Sequence, residues 1–215
     1  MAVEPSGKKV VLVWNEHPTE VVAGHHARKV AEILRRDYGH EVVMEKIPVR
    51  KTDYGILMRE SAANAREKLK KLDYSSTIAA RYARKHKAFA FNFHASKAEA
   101  MGQSETMAPH DFRVGEQRIH YKIRRLDTEI VFLPNRGKSF VIEMPGIYFD
   151  LRSRIHDKTI DKLFEIEPGD TNRFFELLLT KIGAMQLKHP EQQKYLRPAI
   201  SEKIAAAIHE RISRK

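Results

Sequence analysis

Residues 10 to 20 read Val-Val-Leu-Val-Trp-Asn-Glu-His-Pro-Thr-Glu. The first five form a short continuous apolar run rich in β-branched side chains, the pattern of a strand buried on both faces of a parallel sheet. Pro18 forbids helix continuity at that point, and Thr19 can serve as an N-cap, so a helix is expected from Glu20. Ala23, Ala27, Val30 and Leu34 follow at spacings of four, three and four, which places them on one helical face. Gly39 is a suitable C-cap. Glu41 to Ile47 (EVVMEKI) reads as a second strand, ended by Pro48. A strand, a helix and a strand in this order predict a right-handed parallel crossover and an α/β protein.

Working outward, Thr52 to Lys87 is dominated by Ala, Lys, Arg, Leu and Glu, and Asp73-Tyr74-Ser75-Ser76 divides it into two expected helices. Ala88 to Phe93 (AFAFNF) is the third strand and delivers His94 at its end. Ser96 to His110 is rich in Gly, Ser, Met and Pro and is expected to be a loop that contributes to a pocket wall. Strands are expected at Arg118–Arg124, Glu129–Leu133 and Ser139–Met144, the last two joined by the turn Pro134-Asn135-Arg136-Gly137. After Pro168-Gly169 the chain reads as helical. Asp170 or Thr171 caps a helix bearing Phe174, Leu178, Ile182 and Met185, and a last helix carries Ile204, Ile208 and Ile212. The expected architecture is a mostly parallel or mixed central sheet flanked by helices, one domain over residues 1–215, with 170–215 as a helical extension packed on it.

Composition narrows the chemistry. The 215 residues include no cysteine, which removes disulfides, thiolate catalysis and Cys-ligated zinc. A metal would have to sit on His and carboxylate ligands. Lys and Arg exceed Asp and Glu by 39 to 28, a formal charge of +11, which favours anionic partners. The bases are spread over Arg35-Arg36, Lys68 to Lys71, Arg81 to Lys87 and Arg118 to Arg125, as expected of solvated faces, without the interleaved aromatics of a single-strand stacking platform. No apolar run approaches the ~20 residues that cross a bilayer. The opening MAVEPSGKK lacks a signal-type apolar core, so a cytoplasmic protein is expected.

Four residues stand out as candidate chemistry. His17 and Glu20 are three apart, between a buried strand and a helix, where both can face one side of the turn. His94 leaves the end of another apolar strand, and ligands of open α/β sheets bind at such carboxyl ends. Glu143 interrupts the apolar strand Phe140-Val141-Ile142 and Met144, where burying a carboxylate is costly unless it has a partner or a task. Two imidazoles and one carboxylate are a known ligand set for catalytic zinc with an open fourth position. The pair His25-His26 also invites a metal reading, but His26 fits better as a packed helix residue.

The order His17-x-x-Glu20, His94 after a strand, then Glu143 in Val-Ile-Glu-Met-Pro-Gly resembles the zinc carboxypeptidase superfamily, in the branch of aspartoacylase and succinylglutamate desuccinylase. The resemblance spans about residues 10 to 150 and rests on short motifs in their order and strand context. It implies a zinc-carboxypeptidase or phosphorylase-hydrolase-like fold, Zn²⁺ on His17, Glu20 and His94, and Glu143 as general base and then acid. It further implies a small carboxylate-bearing substrate whose amide bond is cut. Arg136 would grip the substrate carboxylate, and Arg59 or Arg66 would polarise the scissile carbonyl. Pro18-Thr19 departs from the family's Gly-Asn, and Asn92 stands where an Asp is usual. The family's adjacent Asn-Arg pair is lacking, Asn64 and Arg66 coming closest, and the family's carboxyl-terminal β domain is replaced by helices.

Each of these residues has a structural alternative. His17 and Thr19 can be helix caps, His94 a hydrogen-bonded strand-end histidine, Glu143 the partner of a nearby Arg, and Arg136, Arg59 and Arg66 exposed bases. Two further functions stay open: a nucleic-acid-linked protein, for RNA binding or aminoacyl-tRNA deacylation, and a binding module of the same fold that has lost catalysis.

Overall fold

The computed structural model describes residues 7–14, 21–47, 78–95, 107–114, 117–126, 130–134, 137–144, 146–150, 181, 183–185 and 187–214. A five-stranded main sheet runs β2-β1-β3-β7-β6, with β1 at Lys9–Trp14, β2 at Glu41–Lys46, β3 at Phe89–Ala95, β6 at Val131–Pro134 and β7 at Ser139–Met144. The first four in that order are parallel and β6 is an antiparallel edge, so the sheet is mixed. The long apolar runs fall in its centre. Val10 to Val13 and Phe91 and Phe93 are fully buried.

Helix α1, Val21–Arg36, buries Ala23, Ala27, Val30 and Leu34, the face expected from their spacing. It ends where Gly39 takes a φ of 64°, a conformation glycine adopts without steric cost, and the His40 N–H then closes on the Leu34 carbonyl at 3.0 Å. Helix α2, Ile78–His86, covers the opposite face, where Ile78 and Ala83 pack with Val11, Val13, Ala88 and Ala90. Helix α3, Pro198–Ser213, begins with proline at its first position, where the missing N–H is not needed. It packs along α1, and Ile204, Ala205, Ile208 and Ile212 join Leu12, Phe91, Phe140 and Ile142 in the larger core.

A second, three-stranded antiparallel sheet has the order β4-β5-β8, with β4 at Met107–Val114, β5 at Gln117–Leu126 and β8 at Gly146–Asp150. This corrects the expectation of a loop as far as His110, because strand structure begins at Met107. Pro109 and Asp111 hide the strand in the sequence, and its pairing with β5, from Met107–Arg124 to Val114–Gln117, supplies the missing support. Strand β8 lies against β3 and α1, which brings the small sheet to the main one.

Packing is close where α1 crosses β1. A Cβ built on Gly24 would stand 2.7 Å from Trp14 Cε3 and 2.8 Å from Cζ3. The indole is also flanked by the Arg28 guanidinium and the Lys46 ammonium, each 5.3 Å from its centre. Gly24→Ala should therefore destabilise the protein by about 1–3 kcal/mol despite the better helix propensity of alanine. Trp14 is the only tryptophan, so its emission should shift along with the urea midpoint. An unchanged midpoint and spectrum would show that the indole has room to move.

Candidate functional site

The chain passes from β1 to β2 on one side of the sheet and places β3 on the other. This makes the carboxyl ends of β1 and β3 a topological switch point, the usual place for a ligand in an open α/β sheet. His94 is the penultimate residue of β3 and Glu143 the penultimate residue of β7. The two strands are parallel neighbours, and their register sets His94 directly opposite Glu143.

Strand alternation decides which face they share. Phe89, Phe91, Phe93 and Ala95 enter the core shared with α1 and α3, so Asn92 and His94 project from the other face. On β7, Phe140, Ile142 and Met144 enter that same core, which sends Glu143 to the side of His94. Three polar side chains are thus gathered at one end of a sheet face, and all are buried: Asn92 at 0 %, His94 at 1 % and Glu143 at 1 % exposure. The cost of removing such groups from water has to be met by hydrogen bonds or by a bound partner.

Asn92 Nδ2 lies 2.8 Å from His94 Nε2. As placed, the amide donates to the ring, whose own proton is then on Nδ1. Turning the amide over puts Oδ1 at the same position. Nε2–H then donates to it, and Nδ1 is the nitrogen left with the lone pair. The second arrangement is the one a metal-binding imidazole uses, with its distal N–H held by an acceptor. Sequence inspection marks Asn92 only as a departure from a family Asp; the contact with His94 gives it a role in orienting the ring.

His17 and Glu20 lie outside the described residues, as do Arg59, Asn64, Arg66 and Arg136. The chain enters the stretch containing His17 and Glu20 from Trp14, the last residue of β1, and leaves it at Val21, the first of α1. Of the eight residues in the ligand, catalytic and substrate-binding sets, the structure describes His94 and Glu143, and it sets them opposite each other. Among the described residues, no group of three or more His, Asp or Glu side chains is placed to hold a metal ion. His26, by contrast, is packed in the helix interface. Its Nε2 donates to the Tyr195 carbonyl at 2.6 Å and its Nδ1 meets Ser201 Oγ at 2.8 Å.

The bases of the described helices are mostly exposed and partly engaged nearby. Arg35 Nη2 donates to the Val42 carbonyl at 2.6 Å, Arg36 pairs with Asp37 and Lys85 with Glu45. The Asp37 carboxyl is held below its ordinary range by the Arg36 hydrogen bond, and Glu45 is lowered by Lys85 and His86. No helix among the described residues is long and apolar enough to cross a membrane.

These features define an α/β protein with a mixed main sheet and a buried Asn-His-Glu cluster at the carboxyl ends of its parallel strands. No protein-family model, curated protein or solved structure matches this chain.

Proposed function

We propose that the chain is a zinc-dependent hydrolase of the carboxypeptidase-like class, cutting an amide bond in a small substrate that carries a carboxylate. The observation that supports this most is the register of β3 and β7, which sets a buried imidazole beside a buried carboxylate at the strand ends. The donor chemistry fits zinc: imidazole and carboxylate ligands, no thiolate, and an imidazole already oriented by Asn92. His17, Glu20 and His94 would hold Zn²⁺, which supplies a Lewis acid and a bound water of lowered pKa.

Glu143 has the chemistry to accept a proton from the attacking water through a carboxylate oxygen and to return it to the departing amine nitrogen. Asn92 keeps the His94 ring from turning. A guanidinium from Arg59 or Arg66 would meet the oxygen that gains charge as the carbonyl is attacked, and Arg136 would pair with the substrate carboxylate in a two-pronged hydrogen bond. The +11 charge suits an anionic substrate.

Metal analysis of the untreated protein, paired with turnover of N-acyl amino acids, tests the proposal. About one equivalent of zinc is expected, with activity lost on chelation and restored by Zn²⁺. Turnover that persists in the metal-free protein would reject the mechanism. Zinc-replete protein without turnover on any N-acyl amino acid or short peptide would leave a metal-binding module in its place.

A further inference from the structure

Helix α3 is fastened to the rest of the protein by two imidazole contacts, one towards each end. Towards its start, His26 of α1 is wholly buried between the Tyr195 carbonyl, 2.6 Å from Nε2, and Ser201 Oγ, 2.8 Å from Nδ1. A carbonyl only accepts, so Nε2 carries the proton and Nδ1 takes the serine hydroxyl hydrogen. Both contacts are made by a neutral ring. A second proton would charge it in a site where, among the described residues, the ionisable neighbour bearing on it is His25, another imidazole. Burial, the largest cause, pushes its pKa down to about 4; the Tyr195 hydrogen bond opposes this only in part.

Towards its end, His209 Nδ1 lies 2.9 Å from Nε2 of His40, which sits buried between α1 and β2. One proton lies between these two nitrogens, so one ring donates and the other must keep its lone pair there. Tyr38 stacks on His209 with ring centres 4.2 Å apart, and the Lys8 ammonium donates to the Ile212 carbonyl at 2.7 Å. Burial is the largest cause lowering the His40 pKa, the neighbouring His209 comes next, and a hydrogen bond with the Lys8 backbone opposes them while the Lys8 charge adds to them. Among the described residues, carboxylates on adjoining elements are engaged elsewhere: Asp37 with Arg36, Glu32 with Lys29, Glu41 with Lys9 and Glu210 with Arg214. Glu202 bears on Arg36, and the Arg211 guanidinium lies over the Phe140 ring.

We infer that α3 is an acid-released strap, held closed by neutral His26 and by the His40–His209 contact, and freed when His26 and His40 charge. Release would uncover Ile204, Ala205, Ile208 and Ile212 together with the α1 face they cover. The device is independent of the candidate metal site, and its sign follows from linkage. A histidine whose folded pKa is depressed binds its proton more readily once the strap is open, so closure is fully favoured above pH 6.5. The advantage is lost progressively as the pH falls from there towards 4. With 6.5 for the open ring and about 4 for the closed one, opening at pH 5.0 should be about 30-fold more frequent than at pH 7.5 through His26 alone.

Hydrogen exchange of the full chain, corrected for the intrinsic pH dependence of the rate, reads this directly. Amides of residues 200–212 should lose about 30-fold or more protection between pH 7.5 and 5.0 while those of β1 and β3 keep theirs. His26→Gln retains a donor for the Tyr195 carbonyl but does not titrate, and should remove most of the response. His209→Gln should diminish it by removing the imidazole that His40 meets and that helps to hold its pKa down. Unchanged α3 protection at pH 5.0, or loss in step with the sheet, would overturn the inference, as would a full response in folded His26→Gln. Should His26→Gln not fold, the wild-type profile and His209→Gln still decide.

Discussion

Glu143→Gln should lower turnover by about 10²–10⁴-fold while leaving the fold and the zinc content intact. The amide is nearly the same size as the carboxylate and can occupy its buried position on β7 without bringing a charge into the sheet. It cannot take a proton from water, so the loss should fall on kcat with little change in KM. Glu143 is outside the proposed ligand set, so metal analysis should still find about one zinc. Retention of more than a tenth of the wild-type rate would make Glu143 a structural carboxylate. Loss of zinc together with activity would instead move it into the ligand set.

Phe91→Ala should cost about 3–5 kcal/mol of folding stability, a large share of the roughly 5–15 kcal/mol typical of a domain. Phe91 is fully buried in β3 at the middle of the main sheet, and its ring stacks on Phe140 of β7 with centres 5.2 Å apart. Removing it opens a cavity in the core between the main sheet and helices α1 and α3, under the two strands that align His94 with Glu143. Urea unfolding with an unchanged m-value and a lower midpoint is the expected result. A loss under 1 kcal/mol would mean that neighbouring side chains refill the space.

The main sheet was legible in the sequence because its signals are local. Val10 to Trp14, the α1 face, and the hairpin through Gly137, whose φ is 63°, each follow from a few adjacent residues. The burial of Glu143 was legible for the same reason, since a carboxylate inside an apolar strand stands out. The pairing of β3 with β7 was not, because it joins residues about 50 apart through backbone hydrogen bonds that leave no mark on composition. The second sheet was missed at β4 and at β8, although Gly115-Glu116 between Val114 and Gln117 is a two-residue hairpin signal. His26 reads as a packed helix residue from its neighbours alone, but its partners Tyr195 and Ser201 lie some 170 residues onward.

The margins of the main sheet have a consequence for behaviour at high concentration. On one side β6 is four residues long and ends in Pro134, which has no N–H to offer a newcomer. On the other, β2 presents charge: Glu41 is clasped by Lys9, and Glu45 by Lys85 and His86. Among the described residues, neither flank of the main sheet gives a second copy a long bare seam on which to lay a strand, so edge addition to that sheet is disfavoured although most of its interior is apolar.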